Sequence, residues 1–326
     1  MFNITHRFIR TLALAALFTI PLSLGLAPSV SAGPINLGGT ADYAVVGVGG
    51  DVNITSDFQI YQSATVINGN VAEGPYTLLT HGIDSTVNGR WDYDLTDADP
   101  SQNGYTGNVT GGFHQINLAP VAADARAAAL AGSLFAPTQT YAKLDQFDGV
   151  SSINGTAGVN VIRITGDSSV KISLTLTGTA TSSFIFQFTS ATTAGHDVLS
   201  LSGMTMNIGA INPDNIYWVF NGNGGDVNIN AMADNQTVYG NFIAPDRNIT
   251  SDHGNVVGRL IGGGSLYGQR LLSIHSGSHV TTPGGQVPDG GSTLALLGMA
   301  LVGLGLVRFR RGHTLTEPIG NRSLER

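Results

Sequence analysis

No cysteine occurs among the 326 residues. Neither a disulfide nor a thiolate metal site can therefore hold this chain, and its fold must rest on a core and on backbone ladders. Charge is also scarce, at 11%, and it leans acidic. Between Gly33 and Val287 stand 19 Asp and Glu against eight Lys and Arg, a net of about −11 with His neutral. Such a surplus repels phosphate backbones and argues against nucleic acid as a partner. The sequence contains no Gly-x-Ser-x-Gly elbow and no His-Glu-x-x-His spacing. What it has instead is 44 glycines, many Thr, Asn and Ser, and recurring β-branched apolar residues. That composition suits an exported all-β or solenoid protein and is too regularly apolar for disorder.

Both ends read as targeting segments. His6, Arg7 and Arg10 form a basic region, Leu12 to Leu26 an apolar one, and Val30-Ser31-Ala32 a small-residue cleavage site, so residues 1–32 are expected to be a signal peptide cut between Ala32 and Gly33. At the other end Val287-Pro288-Asp289-Gly290-Gly291-Ser292-Thr293 precedes an apolar run to Val307 and then Arg308, Arg310 and Arg311. The 15 residues from Thr293 to Val307 would cover about 22 Å as a helix, against a hydrocarbon core of roughly 30 Å. A membrane-embedded transmembrane helix over 292–311 is expected, extended by arginines reaching the headgroups and held with that end in the cytoplasm. Residues 282–291 form a linker with the start of the motif, and 312–326 a short cytoplasmic tail.

Between these ends the sequence repeats itself. Gly49-Gly-Asp-Val-Asn-Ile54 returns as Gly224-Gly-Asp-Val-Asn-Ile229, and Asp51-Val-Asn-Ile-Thr-Ser-Asp57 as Asp246-Arg-Asn-Ile-Thr-Ser-Asp252. Asp226 and Asp246 are 20 residues apart, about one coil of a β-helix with three short faces. A second pattern, Val238-Tyr-Gly-Asn-Phe242, is echoed at Val66 to Val71 and at Thr106-Gly-Asn-Val109. β-branched or aromatic runs at 159–165, 170–177, 183–188 and 216–220 predict strands buried on both faces. Pro120, the alanine-rich stretch Val121 to Leu130, and Gly132 as a cap predict one helix. The fold expected for 33–281 is a right-handed β-helix, an all-β solenoid with one flanking α-helix.

Two resemblances add to this reading. The tail from Val287 to Arg311 resembles the PEP-CTERM sorting signal, which implies processing by an exosortase-type enzyme in Gram-negative bacteria rich in exopolysaccharide. This copy lacks the Pro-Glu-Pro core, and 15 residues follow Arg311. Val238-Tyr-Gly-Asn-Phe-Ile-Ala-Pro-Asp-Arg-Asn-Ile-Thr250 and Gly254-Asn-Val-Val-Gly-Arg-Leu-Ile261, with Leu37 to Val46, the helix near Ala122, Gly158-Val-Asn-Val161 and Ile216-Tyr-Trp-Val219 in order, resemble the choice-of-anchor A family. That family is similar to the ice-binding-like adhesive domains, which implies a β-solenoid carried on a surface anchor.

Candidate sites are few. Asp92, Asp94, Asp97 and Asp99, closing at Asn103-Gly104, are the best candidates for calcium, but the spacing is not that of an EF-hand and a solvated Asp-rich loop between coils is the preferred reading. His81, His114, His196 and His253 are scattered, and His275 and His279, four apart, could face one way on a helix but in strand-rich surroundings are expected to decorate a terminal coil. Ser173, Thr175, Thr177, Thr179 and Thr181 alternate with Ile172, Leu174 and Leu176, which places hydroxyls on one strand face. The sequons at Asn53 and Asn248 read as turn and ladder residues. The expected function is an exported, envelope-anchored, non-catalytic surface protein, adhesive or associated with a biofilm or exopolysaccharide matrix. Alternatives are an ice- or glycan-binding module and a β-helix enzyme acting on polysaccharide, which would need two carboxylates about 5–10 Å apart in a groove.

If a sorting enzyme cuts the tail, deleting Val287 to Thr293 should leave the protein at full mass in the membrane, while the intact gene yields a shorter surface form. Mass spectrometry of surface-exposed material decides this, and peptides from Gly312 onwards in that material would count against cleavage.

Overall fold

A computed structural model of the protein describes residues 33–283, except 50–55, 61–64, 76, 81–84, 98–106, 145–150, 172, 191–195, 231–235, 265–270 and 275–276. The expected signal peptide, most of the linker, the sorting tail and residues 312–326 lie outside the described residues. Among those described, no helix is long and apolar enough to cross a membrane. The chain divides into two units, Met1–Asn36 and Leu37–Arg326, and the second carries the fold.

That fold is a β-solenoid in which every strand pairing recorded is parallel. Three sheets of 14, seven and three strands result. One column of inward side chains runs through the first sheet in register: Ile162, Phe186, Trp218, Phe242, Leu260, Val45, Val71, Trp91 and Phe113. Coils about 4.8 Å apart set equivalent side chains directly above one another, which suits flat rings. Trp218 accordingly stacks on Phe186 with centroids 4.3 Å apart, and on Phe242 at 5.3 Å and 1° between planes.

The column also shows that spatial order departs from sequence order. The coils spanning residues 139–281 stack in sequence, and the N-terminal strand Tyr43–Gly47 then adds to Asn255–Gly262, the last long strand of that block. Residues 43–116 therefore form a second block that continues the stack beyond the C-terminal coil. Coil length is not fixed either, since successive column positions such as Phe186, Trp218, Phe242 and Leu260 are unevenly spaced in the chain. The expected 20-residue repeat is corrected: Val227 pairs with Ile249 and Asn228 with Thr250, a step of 22 residues. The slip of two preserves the alternation of the strand, so each side chain keeps its face. The echo of Val238 to Phe242 at Ile67 to Val71 is structural, because Ile67 and Val238 share one inward column and Val71 and Phe242 another. The echo at Val109 is not, since Val109 pairs with Val87 on the earlier side of the corner.

Strands Val238–Ala244 and Asn255–Gly262 each turn that corner, at Gly240 and Gly258. Gly240 has φ +117°, and a Cβ on Gly258 would lie 1.8 Å from the Gly240 carbonyl oxygen. The glycines thus let two backbones cross in near contact.

The helix α1, Ala119–Leu134, carries the chain from Phe113–Ile116 at one end of the sheet back to Gln139–Tyr141 at the other. Nine coil steps amount to about 43 Å. A 16-residue helix supplies about 24 Å of this, and the short flanking stretches span the rest. Ala122, Ala125, Ala128, Ala129 and Gly132 are buried against the sheet, whose outward residues Val219, Ile243, Ile261, Val46 and Ala72 are buried in turn. Small side chains allow this close approach. Gly132 is therefore a packing residue inside the helix and not its cap. The sheet also satisfies both helix ends: Leu118 N–H donates to Asp94 Oδ2 at 2.7 Å, and Gln187 Nε2 donates to the carbonyls of Gly132 and Phe135 at 2.8 Å. Arg126 Nε reaches Asp246 Oδ1 at 3.2 Å. At the block junction Arg259 Nη1 joins Asp214 Oδ1 at 2.6 Å and Asn241 Oδ1 at 2.9 Å, while its Nε donates to the Ala41 carbonyl.

Gly258→Ala should destabilise the fold by about 3 kcal/mol or more through clash and backbone strain. Thermal unfolding of the variant measures this, and an unchanged Tm would show that the corner can open.

Candidate functional site

The acidic stretch does not assemble as a single site. On strand Trp91–Asp94, Asp92 and Asp94 both point outward, and each is engaged. Asp92 Oδ2 accepts from Tyr43 Oη and from Arg90 Nε, both at 2.7 Å, and Asp92 Oδ1 lies 3.5 Å from Nδ1 of His114, its ladder neighbour. Burial, and then the bond to Asp92, push the Tyr43 hydroxyl up to about 12. Asp94 caps the helix start and a turn at Thr96. These two candidates therefore sit in a strand and not in a loop. Asp97 follows in the turn, and Asp99 lies outside the described residues. Among those described, no three His, Asp or Glu come together as a metal would require.

Sequence reasoning missed Glu73, which is buried at 1% exposure in the first sheet beside Tyr93. Its Oε2 accepts from the Trp91 indole at 3.2 Å. Desolvation raises the Glu73 carboxyl to about 8, the Asp97 charge adds to that, and the Trp91 bond opposes it. No local pattern announces such a residue; only the stacking of two coils places it inside.

Two other faces are not covered by the helix. On the seven-stranded sheet Ser200, Asn228 and Thr250 stand in register, as do Ser202, Asn230 and Asp252. Asp197 pairs with Asp226 across the same strands and receives a hydrogen bond from Asn228 Nδ2. Burial, followed by the charge of Asp226, raises the Asp197 carboxyl. The result is a polar lattice about 4.8 Å by about 6.7 Å, edged by carboxylates.

On the three-stranded sheet, Ser173, Thr175 and Thr177 do share the outer side of one strand, with Leu174 and Leu176 buried behind them. Thr175 has Ser152 and Asn207 as ladder neighbours, and Ser173 has Thr205. Thr179 and Thr181 leave the row, because they bond one another at 3.0 Å in the turn that follows. Ile172 lies outside the described residues.

His279 sits in a strand between Asn255 and Val66 and not on a helix, while His275 and His81 lie outside the described residues. His253 has φ +57°, the one positive φ among the described non-glycine residues, and its Nδ1 lies 2.8 Å from Asp252 Oδ1. Asn248 accepts the Val227 N–H at its carbonyl, a ladder role, and Asn53 is outside the described residues.

The chain is a parallel β-solenoid with a small-residue helix along one face and rows of polar side chains on the other two sheets. The chain belongs to the ice-binding-like adhesive domain family, whose model matches residues 37–269. Residues 286–311 match the VPDSG-CTERM motif, with Gly290 where that name has Ser. Solved structures are similar at low identity. A glycosylated ice-binding protein from an Arctic yeast has a TM-score of 0.50 at 18% identity, covering 79% of this chain and 96% of that one. An ice-binding protein from the Antarctic ascomycete Antarctomyces psychrotrophicus has 0.47 at 19%, covering 76% and 98%. The ice-binding protein 1 domain of Shewanella frigidimarina has 0.46 at 16%, covering 76% and 97%. No curated protein is similar enough in sequence to count as a relative.

Because Glu73 is neutral in the fold up to about pH 8 but ionises above its ordinary value when unfolded, stability should fall as pH rises from about 4.5 to about 8 and then level off. Glu73→Gln keeps an acceptor for Trp91 and should match the parent's Tm at pH 4.5 while exceeding it at pH 9. Equal melting curves at both pH values would show that Glu73 does not carry the effect.

Proposed function

We propose that this chain is an exported, envelope-anchored surface protein that adheres to its surroundings, in a biofilm or exopolysaccharide matrix, and performs no chemistry of its own. The observation that carries this reading is the pair of uncovered faces whose polar side chains recur at coil spacing. Each contact with a polyhydroxyl surface is weak, but a rigid array makes the second and later contacts intramolecular, so avidity rises steeply with the number of coils. The sorting motif supports delivery to the envelope and processing by an exosortase-type enzyme, with the expected membrane helix as a temporary anchor.

Ice is the second reading, favoured by the family and by the hydroxyl row at Ser173, Thr175 and Thr177. Against it, the larger open lattice mixes Ser, Asn and Thr and is edged by Asp197, Asp226 and Asp252, groups that hold their own hydration and break a flat hydroxyl array. For the polysaccharide-acting enzyme, the described candidates Asp92 and Asp94 are committed to internal partners.

Bacterial cells displaying the full chain should attach to polysaccharide-coated glass several-fold better than cells lacking it, and the chain should show no thermal hysteresis. Equal attachment of the two cell types sinks the adhesive reading, and hysteresis would put ice in its place.

A further inference from the structure

Resting on that adhesive reading, we propose that an extended, uncharged polysaccharide chain binds along the solenoid axis on the column Tyr239, Val257, Thr281, Asn68, Asn88 and Thr110. The first four are ladder partners in consecutive strands. Asn88 and Thr110 continue them, one residue beyond Val87 and Val109 in the adjacent inward column. The column crosses the block junction, since Thr281 comes from the C-terminal coil and Asn68 from the N-terminal block.

Three observations point to this ligand class. The middle of the column is already ordered: Asn88 Nδ2 donates to Asn68 Oδ1 at 2.8 Å, and Asn68 Nδ2 donates to Thr281 Oγ1 at 3.1 Å. Amides fixed before the ligand arrives lose little freedom on binding it. The column also runs from a half-buried aromatic and aliphatic pair, Tyr239 and Val257, to amides and hydroxyls that become exposed at Asn88 and Thr110. Sugars have that same division, with C–H faces that pack on apolar groups and hydroxyls that pair with amides. Finally, the six positions carry no carboxylate, unlike the lattice edged by Asp197, Asp226 and Asp252, while the acid surplus of the chain repels polyanions. A coil step of about 4.8 Å is close to the advance of one sugar in an extended β-linked chain, so each coil meets one sugar.

The test uses the full chain in detergent micelles, with cellohexaose as probe in calorimetry and alginate as a polyanionic comparison. Asn88→Leu with Thr110→Leu should weaken cellohexaose binding by about tenfold or more and leave Tm and circular dichroism near the parent's. Ser200→Leu with Thr250→Leu, on the seven-stranded sheet, should bind as the parent does. Tyr239→Ala should also weaken binding, and it answers the question if the leucine pair unfolds its coil. Loss confined to the Ser200 and Thr250 variant overturns the inference and leaves adhesion standing. A parent that ignores cellohexaose, or binds alginate as well, yet still promotes attachment overturns the ligand class alone. A parent that neither binds nor promotes attachment overturns both.

Discussion

Side chains in register, one coil above the next, are the constraint on which the rest of the structure depends. Parallel pairing fixes the vertical spacing, so whatever occupies an inward position must pack against its counterparts above and below as well as across the core. The stacked rings of Phe186, Trp218 and Phe242 meet this condition directly. With no cysteine to cross-link it, the solenoid is held by this column, by the ladders, and by junction contacts such as Arg259 with Asp214 and Asn241.

The same constraint divides the faces by role. Outward residues of the first sheet are apolar where α1 lies over them, and polar where they tether its ends, at Asp94 and Gln187. The helix is small-sided because it must cross the sheet closely, and it is long because it returns the chain past the whole stack. On the seven- and three-stranded sheets the outward residues named above are Ser, Thr, Asn and Asp. A scaffold of this kind offers area and regularity, which is the physical basis for reading it as adhesive.

Carboxylates illustrate how position decides chemistry here. Asp92 and Asp94 are two residues apart on one strand, yet one binds a tyrosine and an arginine and the other caps a helix. Glu73, one coil below, is buried and holds its proton to about pH 8. Asp197 and Asp226 remain at the surface and edge the open lattice. Acidic composition alone would have grouped all five.

Much was legible without coordinates. Repeated Asp-x-Asn-Ile segments, glycine-rich corners, β-branched runs and one alanine stretch with Pro120 at its start determined a solenoid with a flanking helix, because those signals are local. The alternation of Ser173, Thr175 and Thr177 was readable for the same reason, and it failed at Thr179 only because a turn intervenes. Tertiary structure alone decided the stacking of residues 43–116 onto the C-terminal coil, the 22-residue register of the repeat, the helical burial of Gly132 and the placing of Glu73 in the core. Each of these depends on which strand lies beside which, and parallel pairing between distant segments leaves no trace in the spacing of residues along the chain.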